Sequence, residues 1–173
     1  MKRVLCMMLA LFLAVGLFGC HFGESSDMIE PVEFFYPRKP DHYAYGAEDG
    51  VFAAEIREAS GHTGDLNYLI SMYLYGPQDA TLRSPFPAGC KLEIVRFEED
   101  TLYLVLSSQF AELEYPDLTV ACASLTKTCL SMTDARQVCI NSTSASKTIS
   151  ITMDAASLLM SDYSAFEVQP ITE

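Results

Sequence analysis

Two stretches of helical periodicity, each following a pair of strand-like runs, limit this chain to few architectures. Leu66, Leu69, Ile70, Tyr73 and Leu74 recur at i, i+3, i+4, i+7 and i+8, one face of an amphipathic helix. Asp65 stands where an N-cap belongs, and Gly76-Pro77 ends the helix. Behind a second cap expected at Asp117, the positions Leu118, Ala121, Cys122, Leu125, Cys129 and Met132 repeat the pattern. Strands are expected at Val32–Pro37 and Val51–Ala59. Two hairpins follow: "CKLEIVRF" with "TLYLVLS" around Glu98-Glu99-Asp100, then "ARQVCIN" with "KTISITM" around "STSAS". In Val51–Ala59 the alternation sets Phe52, Ala54 and Ile56 on one face and Glu55 and Arg57 on the other. The order β-β-α-β-β-α-β-β implies an α+β fold, a single mixed sheet of strand hairpins with two helices packed on one face. Leu69, Ile70, Leu125 and Cys129 are expected in its core.

The N-terminus speaks to location. Lys2 and Arg3 precede the apolar run Val4–Gly19, and Cys20 follows directly. That order reads as a secretory signal, and the run is short for a spanning helix of ~20 residues. "LFGC" (Leu17–Cys20) resembles the lipobox of bacterial lipoproteins, with Leu17 and Gly19 in place and Phe18 bulkier than usual. The resemblance implies that Cys20 is lipid-modified and becomes the N-terminus. Two acyl chains then hold the protein stably on the outer face of the cell membrane. The chain divides into a signal peptide (1–19), an acidic tether (20–31), a domain (32–153) and a C-terminal tail (154–173).

Charge narrows the partners. Beyond the signal, nine Lys and Arg face 23 Asp and Glu, a net charge of −14. Nucleic acid and anionic lipid surfaces both need basic patches, so neither is expected as a ligand. The tethered domain is held away from the bilayer by repulsion. Four cysteines remain: Cys90, Cys122, Cys129 and Cys139. Export would permit two disulfides. Cys122 and Cys129, however, lie about 10 Å apart along one expected helix, too far to bridge each other. Free thiols packed as small apolar residues are the expectation.

Catalytic patterns are weak. SxxK occurs as "SLTK" (Ser124–Lys127) and "SASK" (Ser144–Lys147), but without the SDN and KTG partners of penicillin-binding proteins. His21, His42 and His62 sit in tether, loop and turn with no zinc-type spacing. "FEED" (Phe97–Asp100) lacks the spaced ligands of a calcium loop. The expectation is a non-enzyme without metal or cofactor. Tyr43 and Tyr45 offer a candidate aromatic surface, which leaves a module binding cell-wall glycan as an alternative function.

The stretch "GPQDATLRSPFPAG" (Gly76–Gly89) carries Leu82 and Phe86 where a solvated loop would be polar. Gly76-Pro77, Ser84-Pro85-Phe86-Pro87 with Gly89, Leu106–Phe110 ("LSSQF") and the "VCI" strand (Val138–Ile140) resemble, in order and spacing, the GerMN domain of sporulation and spore-germination lipoproteins. The resemblance spans about residues 32–153. It departs at Glu98-Glu99-Asp100, where a glycine turn is common, and in carrying one copy where some relatives carry two. It implies a fold similar to ring-building modules, no attached activity, binding to other cell-envelope proteins and room for a homo-oligomer. Leu82 and Phe86 then mark a candidate interaction loop, packed back over the end of the core.

Overall fold

The structure, a computed structural model, describes residues 31–42, 51–59 and 61–158. It is an α+β fold. Strand β1 (Pro31–Pro37) pairs antiparallel with β2 (Phe52–Glu58), with Phe34 opposite Glu55. Helix α1 (Leu66–Leu74) leads through the Gly76–Gly89 loop to the hairpin β3 (Leu92–Glu98) and β4 (Thr101–Leu106). A short α2 (Ser108–Ala111) precedes the long α3 (Asp117–Met132). The hairpin β5 (Gln137–Thr143) and β6 (Thr148–Asp154) follows, then α4 (Ala155–Leu158). The expected order of strands and long helices holds, and α4 falls within the expected tail.

The strands form two sheets and not the single sheet expected. β3-β4-β5-β6 make a four-stranded sheet that is mixed, since α3 carries β4 into a parallel β5. β1 and β2 stand apart as a ribbon. The reason lies on α3. The Thr128 hydroxyl accepts the Phe35 N–H (2.9 Å), and Ser124 Oγ donates to the Phe35 carbonyl (2.6 Å). Ser131 Oγ also reaches the Glu33 carbonyl (3.4 Å). Ser124, Thr128 and Ser131 fall at i, i+4 and i+7, one stripe of the helix. A row of hydroxyls takes the place of the next strand along β1's open edge, which would otherwise expose unpaired backbone.

The core lies between the four-stranded sheet and the helices. Leu102, Leu104, Leu106, Val138 and Ile140 face Leu69, Ile70, Tyr73, Ala121, Cys122, Leu125 and Cys129, all buried. Each fully buried Leu or Ile contributes roughly 1.5–3 kcal/mol. Asp65 caps α1 as expected, accepting the Tyr68 N–H at 3.1 Å. Asp117 does not cap α3. The N-cap is Pro116, and Asp117 is the first helical residue, where its charge still suits the positive end of the helix. The hairpin turn is Glu99-Asp100, with Glu99 at φ 54°, a left-handed conformation that glycine would adopt more readily.

Candidate functional site: a loop held by a buried ion pair

Of the two faces that alternation separates, β2 turns the charged one inward, the inverse of the usual apolar-in arrangement. Ile56 is 66% exposed, whereas Arg57 is 8% exposed. The inversion is stable because every charge on that face is answered. Arg57 pairs with Glu55, two residues away on the same side of the strand. Its guanidinium lies 5.3 Å from the Phe34 ring centre and 5.7 Å from that of Tyr36. It also donates to the Met72 (3.3 Å) and Gly76 (2.6 Å) carbonyls at the end of α1. Those carbonyls have no partner within the helix, and a cation suits the negative end of its dipole.

Glu55 completes the clamp. Its second carboxylate oxygen accepts the consecutive N–H groups of Gln78 and Asp79, both at 2.8 Å. The Gly76–Gly89 loop is thus seized at its start by one acid and one base from β2. Asp79 then accepts the Thr81 N–H and hydroxyl, each at 2.7 Å, a tight turn. These Thr81 bonds hold the Asp79 carboxyl below its usual pKa range, with Arg38 and His42 adding to the shift. Next the loop pairs with the end of β1. Arg38 bridges Leu82, Lys39 N–H donates to Thr81, and Arg83 N–H donates to Pro37.

The candidate interaction residues are buried. Leu82 is 3% exposed and Phe86 8%. The Phe86 ring meets Tyr73 edge-on at 5.3 Å and lies 6.3 Å from Phe110. Ser84 Oγ accepts the Phe86 N–H at 3.2 Å. Gly76, at φ +98°, runs close to Ser84, whose Cβ would stand 3.4 Å from an added methyl. Three separate pieces of the sequence pattern, Gly76, Ser84–Phe86 and Phe110, therefore meet in one packed corner. The other candidates, Cys20, Tyr43 and Tyr45, lie outside the described residues.

Reactive groups near this corner are occupied. Ser124 of "SLTK" is fully buried, 2.5 Å from the Tyr73 hydroxyl and bonded to Phe35. Lys127 lies over the Phe35 ring at 4.9 Å. In "SASK", Lys147 donates to the Leu113 carbonyl and Ser144 accepts N–H groups within its own turn. Burial raises the Tyr73 hydroxyl pKa despite bonds to Ser124 and Thr128, and raises Tyr36 despite the opposing Arg57 charge. All four described cysteines are free. Burial pushes Cys122 and Cys129 up to about 12 and Cys90 to about 11, so these thiols stay protonated at neutral pH. Among the described residues no cluster of three or more His, Cys, Asp or Glu could hold a metal. Nor is any helix among them long and apolar enough to cross a membrane.

Comparison with known proteins gives little beyond this geometry. No family model matches the chain, and no curated protein does. A 2.5 Å crystal structure of a candidate lipoprotein from Clostridium perfringens is similar over 78% of this chain and 93% of that one, with 13% identity and a TM-score of 0.47. At that level the likeness carries no functional assignment.

Proposed function

We propose that this chain is an extracytoplasmic lipoprotein, anchored through Cys20, whose GerMN-like domain binds other cell-envelope proteins and does no chemistry of its own. The observation that carries the reading is the Gly76–Gly89 loop. It is long, holds no helix or strand of its own, and is fixed by Glu55 at its start and by buried Leu82 and Phe86 further on. Such a loop keeps one shape at little entropic cost to a partner. The residues resembling the GerMN pattern are the ones that pack it, which supports a shared scaffold for binding. The anchor rests on the apolar run that ends at "LFGC".

Two experiments test the two halves. Cys20→Ala should shift the protein from the detergent phase to the aqueous phase and remove its lipid label. A variant that partitions like the parent contradicts the lipoprotein half. Crosslinking in the native host, read by mass spectrometry, should capture an envelope protein. Retention on purified peptidoglycan that is lost in Tyr43→Ala/Tyr45→Ala, with no protein crosslink, would favour a glycan-binding module instead.

A further inference from the structure

Nine Lys and Arg follow Cys20 in a strongly acidic chain, and most are committed. Arg57 is buried on Glu55, while Arg96 and Arg136 pair with Glu98 and Asp100. Lys127 lies over Phe35, Lys147 holds the Leu113 carbonyl, and Arg38 lies near Asp79. Lys91 is exposed, and Lys39 and Arg83 remain. Neither pairs with a carboxylate among the described residues, yet both are half-buried and sit together. The Arg38–Leu82 bridge sets Lys39 opposite Thr81 and Arg83 opposite Pro37. Lys39 and Arg83 are therefore diagonal neighbours, about 7–8 Å apart at the backbone. Alternation puts both on the side away from buried Leu82.

We propose that Lys39 and Arg83 form the docking surface for an acidic, extended segment of a protein partner. The inference rests on the protein-binding reading above and names the partner's chemistry. Carboxylates at alternate positions of an extended peptide stand about 6.6 Å apart, which matches this diagonal. The Arg83 fork suits a carboxylate in two-point contact. The loop presents Arg83 from a fixed position, because Leu82 before it and Phe86 after it are both buried. Neither cation forms an ion pair with the nearby Asp41 or Asp79, so both stay open to an incoming carboxylate. A long polyanion fits poorly, since it would run onto the many carboxylates of a surface carrying −14 overall.

The test is an NMR titration of the full chain with a short capped peptide of alternating Glu and Val. The proposal expects saturable shifts at the Lys39, Thr81 and Arg83 amides, and none with the Gln-for-Glu peptide. Lys39→Gln or Arg83→Gln should each weaken binding about two- to five-fold. The double variant should abolish it, and Lys91→Gln should leave it unchanged. Equal binding of the Gln peptide, equal binding by the double variant, or tighter binding of inorganic polyphosphate would overturn the proposal. Crosslinking separates this failure from the broader one. A double variant that keeps the parent's partner removes the corner but not the module, whereas a parent that captures no protein removes the module.

Discussion

Arg57 and Glu55 carry the part of the site that alternation left undecided, and the physics is instructive. Alternation assigns faces correctly, but it cannot say which face is buried when the charged one can be fully paired. The guanidinium has a carboxylate, two helix-end carbonyls and two aromatic faces. All but the first come from residues distant in sequence. Removing one partner of such a pair leaves a buried charge, so Arg57→Ala should cost about 3–5 kcal/mol in urea unfolding. Replacing both by well-packed apolar residues should cost less. Phe86 is the complementary case. Its flanking prolines and apolar character in a polar loop were legible, and it packs. Phe86→Ala should cost about 3–5 kcal/mol, and a change within ±0.5 kcal/mol would contradict the packing on Tyr73.

At the scale of elements, both long helices and all six strands were legible from periodicity and turn residues. The division into two sheets was not. Which edge a strand offers, and to what, depends on contacts some ninety residues apart, such as Phe35 to Ser124 and Thr128. The Ser124, Thr128, Ser131 stripe was present in the sequence, but it reads equally as a solvated helix face until β1 is laid beside it. Thr128→Val keeps the shape and removes the acceptor for the Phe35 N–H. It should cost about 1–3 kcal/mol, more than Ser131→Ala, whose site is exposed. Equal effects at the two positions would contradict the role given to the stripe. The cap at Asp117 failed for a nearer reason, since Pro116 occupies the N-cap position itself.

For the molecule as a whole, the buried thiols give a pH signature. The folded pKa values of Cys122 and Cys129 are raised to about 12 from an ordinary value of 9.0. Their contribution is fully present below pH 9. Above it the unfolded chain loses these protons while the folded chain keeps them, so stability falls as pH rises towards 12. The slope is about 1.4 kcal/mol per pH unit for each thiol. Chemical denaturation between pH 8 and 11 should show the decline, shallower in Cys122→Ala, and a flat profile would contradict the burial. The candidate site was half legible: the loop stood out in the sequence, but the clamp that fixes it did not. That clamp is the central claim, because it makes the loop a shaped surface built into the core. Amide hydrogen exchange at Gln78 and Asp79 tests it most directly. The structure predicts slow exchange in the parent protein and fast exchange in Glu55→Ala, with the Leu104 and Ile140 amides slow in both. Fast exchange at Gln78 and Asp79 in the parent would contradict it.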